Sequence, residues 1–235
     1  MAISGTIDPQ TPIVIGASEI AHRDGPDFQS VSATELMIEA VHRSLESTGA
    51  GDVLGALTGA VLVPHGTWAE SDPGRAIAEA IGAPKARTIR SELGVLQQSL
   101  LARAATNVRS GVIDVAIVVG GENRWSGVVS GKAGIAPPEA PVLACGAEPD
   151  EVIAPREMVI SQIEIDRNLT TAAHQYAIIE SALRHHLGRS VGAHQRELGE
   201  LWERFAEIAA EAPAGWDLRA MKSDEIAFPS ESNRM

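Results

Sequence analysis

From Leu57 to Val119 short closed apolar runs alternate with segments whose apolar residues recur every three or four positions, and this alternation constrains the fold most. LTGAVLVP (57–64) and DVAIVV (114–119) have no polar alternation, the pattern of strands buried on both faces. Residues 86–93 form a third, more polar run. Between these, Leu96, Leu100, Leu101, Ala104, Ala105 and Val108 repeat at helical spacing over 95–110, and Asp72 followed by Pro73 opens a shorter helix that Gly82 ends. Upstream, Ser32 with Glu35 three residues later is a capping-box signature for a helix that runs to Gly49. Ile13, Val14 and Ile15 supply one more strand signal within 12–20. Strands alternating with helices of this length predict parallel pairing through crossovers, hence an α/β layered domain over about residues 10–125.

Beyond Glu122 the texture changes. Residues 126–155 are rich in Gly, Pro and Ala and read as a long loop or lid. Two amphipathic helices are predicted after it, over about 169–187 and 194–210, and the tail from 217 to 235 is polar. The 235 residues, 44% of them hydrophobic, suffice for a core in one or two domains. No stretch is long and apolar enough for a membrane span, and the first 16 residues lack a basic region followed by an apolar run, so a cytoplasmic setting is expected. Lys and Arg number 19 against 31 Asp and Glu, a net charge of −12 that repels phosphate backbones and anionic membranes. Neither nucleic acid nor membrane is therefore an expected partner. The single cysteine, Cys145, excludes an internal disulfide and a Cys-rich zinc cluster.

Candidate chemistry is sparse. Gly49, Gly51 and Gly55 follow a helix and miss the dinucleotide spacing. Cys145, in PVLACGAE, has neither a strand-to-helix turn nor an adjacent histidine and reads as an ordinary thiol. The seven histidines, His22, His42, His65, His174, His185, His186 and His194, form no helical zinc pair, and no metal is expected. They read as solvated or core-edge side chains. Tyr176 and Trp202 lie on helical apolar stripes, where packing is the expected role. One constellation stands apart: the turn 92–95 opening the long helix, and the strand that runs into Gly120, Gly121 and Glu122. In a parallel sheet such a place offers free backbone N–H groups and a helix dipole.

On these residues the chain resembles the thiolase superfamily, and within it the bacterial thiolase-like acetyl-CoA acetyltransferases related to sterol-carrier-type thiolases. Gly94 to Asn123 (GVLQQSLLARAATNVRSGVIDVAIVVGGEN) is similar to their long helix, the turn with Gly111, Asp114 and Val115, and the strand ending in Gly-Gly-Glu. Tyr176 to Trp216 is similar to their loop-domain helices, and EIAFPSESNRM (225–235) to the segment leading back to the core. The resemblance implies the first half of a thiolase fold: an N-terminal α/β core with a layered parallel or mixed sheet over 1–125, and a mostly helical loop domain over 126–235. It implies no permanently bound cofactor, with coenzyme A or acyl-CoA as substrate.

The family's nucleophilic cysteine falls at Gly94 by spacing, where no thiol exists, so no catalytic residue is assigned. Ser91 and Ser99 lie about a turn away with no identified base. The family's second half, which carries its catalytic histidine and second cysteine, would follow Met235; a second thiolase-like half or a homo-oligomer is the partner this implies. Coenzyme A contacts are expected from 126 to about 216, with Lys132, Arg156 and Arg184 as the positive groups. Three functions stay open: an acyl-CoA-handling, acyltransferase-like protein of lipid or sterol metabolism without autonomous cysteine-dependent activity; a non-catalytic or aldolase-type subunit acting on acyl-CoA thioesters beside a small barrel partner; and an α/β small-molecule binding module.

Overall fold

A computed structural model describes residues 8–21, 31–124, 126, 148–212 and 219–231. The chain divides into two units, Met1–Met158 and Val159–Met235.

The first unit is built on β1 (Thr58–Pro64), β2 (Arg87–Ser91), β3 (Val115–Val118) and β4 (Glu151–Ile153), which form a parallel sheet in the order β3-β1-β2-β4. Leu62 stands opposite Ile89 on one side and Val118 on the other, which makes β1 the middle of the sheet. Because successive side chains point to opposite faces, β1 feeds two cores at once. Val61 and Val63 pack with Met37 and Val41 of α1 (Ala33–Glu46) and with Ile77 and Ala78 of α3 (Pro73–Ala80). Ala60 and Leu62 pack with Ile89 and with Leu100 and Ala104 of α4 (Gln97–Arg109). This two-sided burial is why the 57–64 run carries no polar alternation. A short α2 (Gly51–Ala56), not expected from the sequence, precedes β1.

The helix starts follow their local chemistry. Ser32 and Glu35 form the expected reciprocal capping box of α1, and Asp72 caps α3 by accepting from the Arg75 N–H with Pro73 at the first helical position. The α4 helix differs: its N-cap is Leu96, which offers no side-chain acceptor.

Two sequence expectations are revised. The apolar run in 12–20 forms no strand; Ser18 Oγ donates instead to the Ala40 carbonyl on α1, and Ile13 and Val14 are 73% and 86% exposed. Without backbone bonds to β3 it adds nothing to the sheet. Conversely, β4 emerges from the segment read as loop. Its place is fixed by polar contacts: Asp150 accepts from the Thr88 N–H (2.8 Å) and from Arg75 Nη2 (3.0 Å), while Glu151 accepts from Arg87 (3.1 Å) and Arg103 (3.0 Å). Arg75 also donates to the carbonyls of Pro84 and Ala86, so one guanidinium joins α3, the turn before β2 and the start of β4. Thr88 Oγ1 donates to Asp72 (2.8 Å). Burial pushes the Asp72 carboxyl above its ordinary range against these bonds, whereas the Thr88 N–H holds Asp150 below it.

The second unit contains α5 (Gln162–Asp166), α6 (Ala172–His186), α7 (Val191–Glu211) and α8 (Ser223–Ala227). Thr171 and Ser190 cap α6 and α7. Buried His194 of α7 meets Glu180 of α6 through Nε2 at 2.7 Å, and Lys222 before α8 donates to Glu203 of α7 at 2.8 Å. The stripes read as packing surfaces are largely open: Tyr176 is 64% exposed and Trp202 55%, with Trp202 resting on Phe205. The reason is that α6 buries none of its residues and α7 only His194 and Gly199. Among the described residues no helix is long and apolar enough to cross a membrane.

Candidate functional site

In parallel sheets the loops at the carboxyl ends of the strands converge, and a ligand site built there needs no further elements. In the first unit this edge carries a cavity of about 520 Å³. Its walls are Pro64, His65 and Gly66 leaving β1, Val118 to Glu122 leaving β3, and Gln97 and Leu101 on the first turns of α4.

Strand register delivers the polar groups. Pro64 pairs with Ser91, so the residues that follow each, His65 and Glu92, leave adjacent strand ends together, and the His65 N–H donates to the Ser91 carbonyl at 2.9 Å. His65 Nδ1 lies 3.3 Å from Glu92 Oε2, and Glu92 Oε1 accepts from Arg90 Nη2 at 2.9 Å. That guanidinium holds the Glu92 carboxyl below the usual range. The His65 ring meets Trp68 edge-on, with centroids 4.7 Å apart at 71°. Trp68 is anchored in turn, donating Nε1–H to the Gly121 carbonyl at 3.0 Å.

Glu122 closes the other side. It accepts from the Thr67 hydroxyl (2.7 Å) and N–H (2.8 Å), and from the N–H groups of Asn123 (2.9 Å) and Arg124 (3.0 Å). Burial opposes its charge, but these four donors outweigh it and the carboxyl titrates below its ordinary 4.5. A carboxyl so lowered by folding contributes stability that is complete above 4.5 and disappears as the pH falls through its folded value. Asp150 and Glu92 act in the same direction, while raised Asp72 acts in the opposite one. The thermal midpoint is therefore expected to drop on acidification below about pH 4.5, and by less in Glu122→Gln, whose midpoint is already lowered at neutral pH. Equal acid sensitivity in the two proteins would remove Glu122 from this account.

The turn before α4 is tight, with the Val95 N–H donating to the Glu92 carbonyl. Gly94 has φ +100°, a backbone conformation that side chains disfavour. Any side chain could occupy this position only with strain. Ser91 is fully buried, its hydroxyl without a hydrogen-bond partner among the described residues, and Ser99 is exposed on the first turn of α4.

Of the three proposed coenzyme contacts, Lys132 lies outside the described residues, as does Cys145. Arg156 is exposed just beyond β4. Arg184 is half-buried in the second unit, where it donates to the Arg189 carbonyl at 2.9 Å across the end of α6. Of the two places singled out from the sequence, the Gly120–Glu122 bend lines the cavity, whereas the turn at 92–95 meets it only through the approach of Glu92 to His65. His65, Thr67 and Trp68 were not foreseen as part of it; the available signal was that they immediately follow a buried parallel strand. Among the described residues no group of three His, Cys, Asp or Glu side chains is placed to hold a metal ion.

The parallel sheet, the helices on its two faces and the site at its carboxyl edge define an α/β protein of thiolase-like fold. No family model matches the chain, and no curated protein does. Among solved structures it is similar to a monomeric SCP2-thiolase-like protein type 1 from Mycobacterium smegmatis, with a TM-score of 0.71 and 24% identity. The match covers 97% of this chain and 41% of the other, so the chain spans well under half the length of that neighbour.

Proposed function

We propose that this chain handles acyl-CoA thioesters as a thiolase-superfamily protein of the acetyl-CoA acetyltransferase type, in lipid or sterol metabolism in the cytoplasm, without forming a cysteine-bound acyl intermediate. The observation carrying this reading is a thiolase-like fold along 97% of the chain, in which a glycine stands at the position where the resemblance expects the nucleophile. Lys132, Arg156 and Arg184 would meet the coenzyme's phosphates, local positive charge being needed in a chain of net charge −12. A second copy or a separate thiolase-like half would be its partner.

An aldolase-type subunit acting on acyl-CoA thioesters is the second reading, favoured by the same absence of a thiol. Cleavage of that kind needs a base rather than a nucleophile.

Calorimetric titration with coenzyme A and acetyl-CoA tests binding, and saturable heat is expected. Intact-protein mass measurement after incubation with acetyl-CoA is expected to show no covalent acyl group. Absence of heat at millimolar ligand favours the plain α/β binding module, and an adduct on Ser91, Ser99 or Cys145 overturns the non-covalent reading.

A further inference from the structure

We propose that a second copy of this chain docks against the open half of α7, antiparallel to it, an interface independent of what the first unit binds. Along α7, His194, Leu198, Leu201, Phe205 and Ile208 alternate spacings of four and three residues, the repeat of a coiled-coil seam. The seam changes character halfway. His194 is closed against Glu180, Leu198 is half-buried, and Gly199 packs closely on Ser223 and Ala227 of α8. Leu201, Phe205 and Ile208, with Trp202 beside them, are each more than half exposed. A helix fixed along one half of its seam and open along the other presents a surface for one more helix.

Charge selects the occupant. Arg204 and Glu211, one heptad apart, border the open seam on one side; both are exposed, and neither has a partner among the described residues. Glu211 sits in the last turn of α7, which holds no basic residue, so the helix's own dipole works against its charge. Set antiparallel about a two-fold axis between Ala206 and Glu207, two copies bring Phe205 of each to Ile208 of the other, and Arg204 of each to Glu211 of the other. Both apolar stretches are then covered, and both unpaired charges find an opposite one. The alternatives fail on charge. A shift of one heptad, with Leu201 facing Phe205, would oppose Arg204 to Arg204 and Glu197 to Glu211, and a parallel pair would set Arg204 against Ala209. A second copy supplies the matching spacing and the matching order of charges by symmetry alone.

Sedimentation of the full chain is expected to show a monomer–dimer equilibrium with a dissociation constant of about 1–100 μM, as suits a small interface. Ile208→Asp should leave the chain monomeric, with its helix content by circular dichroism unchanged. Arg204→Glu and Glu211→Arg each place like charges together and should each weaken self-association about tenfold. An equimolar mixture of those two variants restores opposite charges on both sides of the axis, and should associate as well as the unaltered chain. An unaltered chain that stays monomeric throughout this range overturns the proposal. So does a dimer that survives Ile208→Asp, or a mixture that fails to regain what its two components lost. Acetyl-CoA titration is read separately, so the acyl-CoA reading stands or falls on its own.

Discussion

Leu62→Ala is expected to cost the α/β unit about 2–5 kcal/mol, read as a lowered urea midpoint with an unchanged denaturant slope. Leu62 is wholly buried in β1, between Ile89 and Val118, and belongs to the core under α4 with Ala60, Leu100 and Ala104. Truncation removes its transfer free energy and leaves a hole that a sheet paired on both sides cannot close. Against a total stability of about 5–15 kcal/mol this is a large fraction. Leu57, one residue before the strand and half exposed, is the control; its truncation should stay within about 0.5 kcal/mol. A loss at Leu62 no larger than that at Leu57 would contradict the central position of β1.

Gly121→Val is the second large effect, and it acts by excess rather than by loss. A Cβ at Gly121 would come within 2.7 Å of Met37 Cγ and 3.1 Å of the Ala33 carbonyl. Met37 is buried in the core and Ala33 O is backbone of the first turn of α1, so neither yields by a simple rotation. Overpacking of this kind costs about 1–3 kcal/mol. Displacing the bend also loosens the Trp68 bond to the Gly121 carbonyl, and with it the brace on His65. Chemical unfolding should show the destabilisation, and acetyl-CoA titration a weaker site. A protein of unaltered stability would mean that α1 does not close against this bend.

What the sequence made legible was whatever repeats within one element. The apolar runs at 57–64 and 114–119, the capping box of α1 and the Asp72-Pro73 start of α3 all stand where periodicity and cap chemistry put them, but β3, read as buried on both faces, lies at an edge of the sheet and is only partly buried. An α/β layered domain was legible from that alternation, and the thiolase-like fold from the resemblance carried by Gly94–Asn123 and the two later stretches. Elements whose existence depends on distant partners were not. The three residues of β4 are too few to show a period, and they become a strand because Thr88, 62 residues before Asp150, offers the bond that seats them. The run at 12–20 errs the other way: it has strand composition, but Ser18 binds α1 and no backbone ladder forms. The open stripes of α6 and α7 show the same limit, since helical spacing tells which residues share a face and not what covers it. At the site, the turn at 92–95 could be read from local spacing. The meeting of His65 with Glu92 could not, because it is set by the pairing of Pro64 with Ser91.

The way β4 is attached also orders events in time. The pairing of β1 with β2 closes over α3 alone, whereas β1 reaches β3 across α3, β2 and α4, and β2 reaches β4 across α4, β3 and the stretch to Asp150. Closing a longer loop costs more chain entropy, and such contacts are made late. The β1–β2 pair is thus the earliest of the three to form, and β4, a strand of only three residues, joins it across one of the two long loops. The charged clasp of Arg75, Arg87 and Arg103 on Asp150 and Glu151 sets how long the finished sheet keeps it.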